Sequence, residues 1–516
     1  MSTWLALAFA SLPLQLAQRA LDPALARTLA MVVVDGAAQR AVVLACSHRA
    51  SEAGIVPGMK LAAAQALARD LAVVVHDAQR ERSALQELAC WAYQFSAQIA
   101  LFPPQEGSGL SIEIGASLRL FGGQAALCRR ILEGLRRLGY RAGDASAGVA
   151  AAARLLARAR AGGSGAPTCG CARAPGGPEA LRAALSPLPL ELLGWEESAV
   201  QTLHTLGQRT IGDLWALPRP AFARRFGARC LLAMDRLLGI VPDPQPLFVP
   251  PQRFCARLDL PADSCDASLL LSGVQQLLRL LEGFLRGQGA GATALLLRAH
   301  HSPRRTAARA PTSIGLALAV PERDGGRLLE LLRERLARVT LPDAAVALEL
   351  ELERMAPWTP VNAGFLPPAP QAAQTDALHL VETLHARLGS RAVFRLQAFG
   401  DHRPERAYRV VDLAPGAAAP LTPGPPVAQR PLLLLPVPYR LQEPVAQEPL
   451  PRYGGPLALL AGPERIEAGW WDLGAASQPA EVQRDYFVAR NRGGQTLWIY
   501  RELAAPHAWF LHGLFA

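Results

Sequence analysis

The sequence predicts a multidomain protein of mixed α/β and α+β class. Three observations carry that prediction. The chain has 516 residues, more than one domain holds. Half of them are hydrophobic, enough for several cores. Apolar runs with strand alternation are interleaved with helix-period stretches over the first third, and a strand, helix, strand, strand, helix, strand order follows further on.

The elements follow in order. Trp4 to Leu12 reads as an apolar first strand, and the segment Met1 to Leu21 holds neither Asp nor Glu. Met31 to Val34 is a β-branched run closed by Asp35-Gly36, and Ala41 to Ala45 is the strand after it. Ala62 to Leu71 has helical spacing, and Arg80 to Leu101 is a longer amphipathic stretch. Leu110 to Leu120 alternates as a strand does and stops at Gly122-Gly123. Gln124 to Leu138 and Val149 to Arg160 are helical. The Gly/Pro/Ser-rich segment from Ala161 to Gly177 is a connection, so residues 1–165 form the first domain. Residues 178–245 read as all-helical. Within them a Gly turn at Gly207 is followed by Thr210, which suits a helix cap. Residues 250–355 give strands Phe254–Leu260, Thr293–Ala299, Ile314–Val320 and Ala345–Leu352 with helices Ala267–Arg286 and Gly325–Arg338. That βαββαβ order implies one sheet with helices on a single face. Residues 356–412 are expected to be a linker with a helix, and 413–451 a second, proline-dense and extended linker. Residues 452–516 form a compact end rich in aromatics.

The formal charge is +10 and rests on arginine, since Lys60 is the one lysine. Arginine forks suit phosphate, so nucleic acid is one reading; arginine-biased coding of a GC-rich genome is the other. No apolar stretch reaches the roughly 18 residues that span a bilayer, so no membrane partner is expected. The apolar start has no basic segment before it, which argues against a signal peptide and for the cytoplasm. Eight cysteines in a chain of this length fit reduced thiols.

Several motifs resemble one family. Ala53-Gly54-Ile55-Val56-Pro57-Gly58-Met59 resembles the Gly-Val to Gly-Met fingers turn of the Y-family (lesion-bypass) DNA polymerases. Leu206 to Leu214, Arg224-Arg225-Phe226-Gly227 and the βαββαβ order match that family's thumb and little finger, and the resemblance covers about residues 4 to 355. Within the family, Ser117 to Gly123 (Ser-Leu-Arg-Leu-Phe-Gly-Gly) resembles the ImuB branch, the polymerase-like member of the bacterial mutasome. So do the tail segments Gly462 to Ile466, Gly469-Trp470-Trp471, Arg484-Asp485-Tyr486 and Trp509 to Phe515. The resemblance implies a Y-family polymerase-like palm and fingers, a helical helix-hairpin-helix thumb, a little finger and a small aromatic-rich C-terminal interaction domain.

It also implies where catalytic groups belong. Active relatives hold two metal ions with an Asp on the first strand and an Asp-Glu pair on a later one. The comparable positions near Trp4 to Ala6 carry no ligand, and the later pair falls at Ile114-Gly115. Glu113 lies just before it; strand alternation turns it to the opposite face from Ile114. Glu113 reads as a solvated or salt-bridged carboxylate, with residual metal ligation as the alternative. The family's triphosphate-binding Tyr and Arg fall at His48 and Ser51, with Arg49 close by, and its palm lysine falls near Arg154, with Arg158 one turn later. The expectation is a pseudoenzyme with no catalytic residues, no metal and no cofactor. The alternative is an active lesion-bypass polymerase with relocated carboxylates.

By resemblance the expected function is a scaffold for error-prone translesion synthesis in the SOS response to DNA damage. Its partners would be primer-template DNA, the sliding clamp, an error-prone C-family DNA polymerase and an ImuA-type RecA-like protein, on the nucleoid. Candidate DNA contacts are Gly194, Gly207 and Thr210 (ordinary helix packing is the equal alternative), Arg224, Arg225, Arg304, Arg305 and Arg154. The clamp motif is expected near Asn362, Phe365 and Leu366, although its Gln is missing; Gln397-Ala398-Phe399 and Gln245-Pro246-Leu247-Phe248 are weaker sites. Trp470, Trp471, Trp509 and Phe515 are candidate partner contacts. The aromatic tail reads as a small folded core more than as a base-stacking platform. Cys169-Gly170-Cys171 reads as a plain loop, with metal binding or redox activity as the alternative. A third functional reading is a protein-interaction module that never touches DNA.

Overall fold

The computed structural model describes residues 2–19, 21, 23–36, 40–162, 177–301, 310–359, 370–389, 392–412, 430–444, 450–470 and 481–515. The chain divides into two compact units, Met1–Arg387 and Leu388–Ala516.

The first unit begins with β1 (Trp4–Ala8), α1 (Leu12–Gln18), α2 (Pro23–Thr28), β2 (Met31–Asp35), β3 (Val42–Cys46), α3 (His48–Glu52), α4 (Leu61–Leu67), β4 (Ala72–Val75), α5 (Ala78–Ala92), β5 (Ile99–Leu101), β6 (Gly109–Glu113), α6 (Gln124–Arg137), β7 (Gly143–Ala147) and α7 (Ala150–Ala161). The apolar β1 is internal to a four-stranded sheet of order β5-β6-β1-β7, antiparallel throughout. Leu5 and Leu7 bury one of its faces with α5 and α6, through Leu88, Ile131 and Leu135. Ala6 and Ala8 bury the other with α7 and the helices after it. The fingers-like elements form a separate sheet, β3-β2-β4, in which β2 and β4 are parallel. The strand expected over Leu110–Leu120 ends at Glu113. There Ile114 N–H turns to the Thr3 carbonyl at 2.7 Å and a short 3₁₀ turn, Gly115–Ser117, takes over.

The helical thumb holds α8 (Pro178–Leu185), α9 (Glu197–Thr205), α10 (Ile211–Leu214), α11 (Arg219–Phe226) and α12 (Ala228–Leu237). Next come β8 (Cys255–Ser264), α13 (Ala267–Gln288), β9 (Ala290–His301), β10 (Thr312–Glu322), α14 (Gly325–Leu336) and β11 (Ala345–Pro357). They make a βαββαβ sheet of order β10-β9-β11-β8. Leu295, Leu297, Leu348 and Leu350 turn inward to Leu277, Leu281 and Leu331, so both helices cover the same face.

The stretch expected to be two linkers is divided differently. The helix α15 (Pro370–Leu388) joins the first unit: Glu382 accepts from Ala319 N–H at 2.7 Å and pairs with Arg327 at 2.7 Å, and Ala386 is fully buried. The hairpin of β12 (Phe394–Ala398) and β13 (Tyr408–Asp412) belongs to the second unit. So does β14 (Leu433–Arg440), which lies inside the proline-dense segment yet pairs with the last strand. Its leucines supply the strand, and its prolines Pro436 and Pro438 sit in the irregular stretch between its two paired ends, on an outer strand of the sheet. With β15 (Ala458–Ala468), β16 (Val482–Arg490), β17 (Thr496–Glu502) and β18 (Trp509–Leu514) it completes a five-stranded sheet of order β14-β18-β17-β16-β15.

Candidate polymerase-like site and nucleic-acid interface

Directly opposed residues of an antiparallel sheet share a face. Along the palm-like sheet one face therefore reads Trp4, Glu113 and Ala147 in one row, Ala6, Ser111 and Ala145 in the next, and Ala8, Gly109 and Gly143 in the last. Small side chains let α7 lie directly on it, and a Cβ on Gly143 would strike the backbone of Ala157 and Ala161. Glu113 is the one carboxylate in these rows, and it is 8% exposed. Its Oε1 accepts from Thr3 N–H at 2.9 Å and Gly115 N–H at 3.0 Å, and its Oε2 from Ala116 N–H at 3.5 Å. It is thus neither solvated nor salt-bridged; it closes the strand end by satisfying backbone donors. Asp144 stands on the opposite face with Leu7. Among the described residues, no group of three or more His, Cys, Asp and Glu side chains could hold a metal ion.

The positions corresponding to the triphosphate ligands lie on α3. Ser47 caps this helix, and Glu52 takes both His48, at 3.4 Å, and Arg49, at 3.1 Å. All of these side chains are on the surface except Ser47, which is buried.

Arg154 corrects the sequence reading. It is 5% exposed, its Nε lies 2.7 Å from Glu106 Oε2 and its Nη1 donates to Gln245 Oε1 at 2.7 Å. Buried and paired, it ties α7 to neighbouring segments and presents no charge to DNA. Arg158 behaves alike: its Nη1 donates to the Leu192 carbonyl at 2.7 Å, and burial pulls its pKa down. Gln245 is consumed by Arg154, and Phe248 is held at β5 by a hydrogen bond to Ile99 at 2.6 Å, so this weaker clamp site is tied into the fold.

The thumb glycines and Thr210 are also structural. α9 ends with Gly207 at φ 78°, Gly207 N–H on the His204 carbonyl and Gln208 N–H on that of Leu203, both at 3.0 Å. Thr210 and Asp213 form a reciprocal cap. Asp213 Oδ2 accepts from Arg209 and Thr210 N–H, both at 2.8 Å, while Ile211 and Gly212 N–H bond to Leu188 at 2.9 Å and Ser186 at 3.0 Å. Those backbone donors hold the Asp213 carboxyl below its ordinary value. Every amide that a phosphate would use is occupied, and a carboxylate stands in its place. The Thr-x-x-Asp spacing was the signal that could have found this. Gly194, at φ 67°, closes a 3₁₀ turn, and a Cβ there would lie 3.0 Å from the Gln105 carbonyl. Arg224 and Arg225 remain: both are exposed on α11 and neither has an ion-pair partner among the described residues. Arg304, Arg305, Asn362, Phe365, Leu366, Trp471 and the Cys169–Cys171 loop lie outside the described residues.

In the second unit the two faces of the sheet are both apolar. Leu497, Ile499, Trp509 and Leu511 form one cluster, Tyr486, Trp498 and Tyr500 the other. Trp509 is 9% exposed, which makes it core and not a partner contact; Phe515 is half-buried against the second cluster, and Trp470 is 70% exposed. Tyr486 stacks on Trp498 with ring centroids 4.2 Å apart, and its hydroxyl meets His512 Nδ1 at 2.9 Å. Burial lowers the His512 pKa and pushes the Tyr500 phenol up to about 12. Among the described residues, no helix is long and apolar enough to cross a membrane.

Known proteins are similar to this chain. The impB/mucB/samB family matches residues 9–159. Protein ImuB of two Caulobacter vibrioides strains is 30% identical over 481 residues, 90% of this chain and 100% of theirs. Among solved structures, a Y-family DNA polymerase chimera of Dbh and Dpo4 covers 68% of this chain and 98% of its own at 15% identity and TM-score 0.39. DinB from Sulfolobus solfataricus covers the same shares at 13% identity and TM-score 0.36. With that identity along the whole of the Caulobacter proteins, the chain belongs to the ImuB family of Y-family polymerase-like proteins.

Proposed function

We propose that this chain is a non-catalytic, polymerase-like scaffold for error-prone translesion DNA synthesis in the bacterial cytoplasm, on the nucleoid, during the SOS response. It holds primer-template DNA and recruits a sliding clamp, an ImuA-like protein of RecA type and an error-prone C-family polymerase that performs the chemistry. The observation that carries the reading is the palm-like face with a single carboxylate, Glu113, whose oxygens already serve three backbone amides. Nucleotidyl transfer by two divalent ions needs several carboxylate oxygens converging on them, and this face supplies no second one. Support for DNA holding comes from the net charge of +10 and from the exposed Arg224 and Arg225. Such contacts go to phosphates, which gives salt-dependent binding with little sequence preference. The clamp and polymerase partners rest on family membership.

Primer extension tests the catalytic half. Purified chain with primed template, nucleotides and Mg²⁺ or Mn²⁺ is expected to add nothing; template-directed extension would refute the scaffold and favour a working polymerase. Affinity for primed DNA tests the other half. Binding that weakens steeply with salt is expected, and no binding at low salt would leave a protein-interaction module.

A further inference from the structure

The turn from Ser117 to Gly123 links the palm-like sheet to α6 and is built as a fixed knob. Ser117 Oγ donates to the Phe95 carbonyl at 2.6 Å, and Gly123 N–H donates to that of Leu118 at 2.8 Å. Phe121 packs on Phe95 with ring centroids 5.7 Å apart. Gly122 and Gly123, at φ 76° and 100°, let the chain turn straight into the helix. With Phe121 held inward, Leu120 points into water and is 81% exposed. A rigid turn that presents an apolar side chain loses little freedom when a partner covers it.

α6 continues the knob as a ridge of mostly one sign. Its Leu127, Ile131 and Leu135 face a core shared with Leu277 and Leu281 of α13. The solvent face is left to Arg129, Arg130, Glu133, Arg136 and Arg137, over roughly 12 Å of helix. Arg130 lies over the Phe121 ring, 5.4 Å from its centroid, and so joins ridge to knob. Among the described residues none of the four arginines has an ion-pair partner, and neither does Glu133, although it stands one turn from each. Arg279 of α13 adds a cation at the far end, where it donates to the Arg137 carbonyl at 2.6 Å; burial and the Arg137 charge pull its pKa down. Arginines elsewhere are neutralised, as Arg298 is between Glu349 at 2.8 Å and Glu351 at 2.6 Å. The helix dipole accounts for Arg136 and Arg137 in the last turn but not for Arg129 and Arg130 in the middle. Arginine-rich coding does not force one sign on a helix either, since α14 interleaves Arg327, Arg333 and Arg335 with Glu330 and Glu334. A phosphate backbone would use the arginines, leave Leu120 in water and meet Glu133 between them. A protein surface has a use for all three kinds of side chain.

We propose that the Leu120 knob and the arginine face of α6 form a docking surface for an acidic segment of a partner protein. Its carboxylates lie opposite Arg129, Arg130, Arg136 and Arg137, and an apolar pocket beside them takes Leu120. The inference rests on the recruiting half of the proposed function and assigns one such contact to the first unit. Photo-crosslinking in the bacterium that makes the chain, after DNA damage, tests it. The probe is p-benzoylphenylalanine in place of Ala125, which is exposed on the first turn of α6. Mass spectrometry is expected to find the full chain joined to one protein through a segment rich in Asp and Glu. R129E/R136E and L120S should each lower that yield about tenfold, with an unchanged circular dichroism spectrum. Affinity for primed DNA should stay within about twofold of the parent in both. Changing two carboxylates of the joined segment to arginine should restore the yield with R129E/R136E. A product with nucleic acid, a protein product without an acidic segment, or a yield indifferent to both variants would overturn the inference. Damage-induced mutation frequency separates it from the reading beneath. A parent chain that confers mutagenesis but yields no protein product overturns the inference alone; a parent chain that confers none overturns the scaffold reading as well.

Discussion

The palm-like sheet and the C-terminal sheet solve one problem in opposite ways. Each is antiparallel, and each has two faces to cover. The palm-like sheet lines one face with Ala6, Ala8, Ala145 and Ala147, and a helix settles on it. The C-terminal sheet carries large rings instead. Tyr486, Trp498 and Tyr500 cover one another, with Arg484 lying 4.5 Å above the Tyr500 ring. The Asp401–Arg406 turn supplies Glu405 to hold Arg484 at 3.0 Å. Their buried polar groups differ in kind as well. Glu113 is satisfied by backbone, His512 by a neighbouring phenol. The first arrangement resists change at positions where anything larger than alanine is excluded. The second depends on a few very large side chains.

The largest expected effects separate the two units. Trp498→Ala removes a ring that is 2% exposed and should cost about 3–5 kcal/mol, unfolding the C-terminal sheet while the first unit keeps its own transition. Differential scanning calorimetry of the full chain reads this; a common loss in both transitions would show that the two regions are not energetically distinct. Glu87→Ala should cost a similar 3–5 kcal/mol in the first unit, because Arg80 and Arg19 lose their buried counter-charge. The palm-like sheet and the βαββαβ sheet should melt together in that variant, and a separate transition for either would break the picture of a shared core.

A smaller effect is expected at pH. His512 is buried with its pKa lowered from the ordinary 6.5, so the native sheet holds it neutral. The unfolded chain binds a proton first, and stability is lost as pH falls from about 6.5 toward the lower native value. The C-terminal transition should therefore drop between about pH 7 and pH 5 while the first unit stays level, and His512→Gln should remove the difference. A C-terminal transition that is flat over this range would contradict the buried neutral imidazole. The smallest effect is Thr210→Ala. Loss of the cap should lower stability by about 1 kcal/mol with no change in DNA affinity, since Asp213 already occupies the amides. A drop in affinity at equal salt would return the phosphate reading to α10.

Much of the first unit was legible in local pattern. The βαββαβ order could be read because inward leucines alternate along β9, β10 and β11 and recur at helical spacing in α13 and α14. That Trp4 to Ala6 hold no Asp or Glu was equally plain. The domain break was not, because proline density hid Leu433–Arg440, whose strand character shows only against β18. Arg154 looked like a phosphate ligand, and nothing in sequence reveals its partner Glu106, 48 positions away.

The sequence by itself determined which elements form and that the palm-like face has few acids, since propensity, alternation and the presence of a residue are local properties. The tertiary structure alone decided which charges are spent. Whether Arg154, Glu113 or Arg298 is free depends on what distant segments bring within hydrogen-bond reach, and burial makes each such pairing costly to undo.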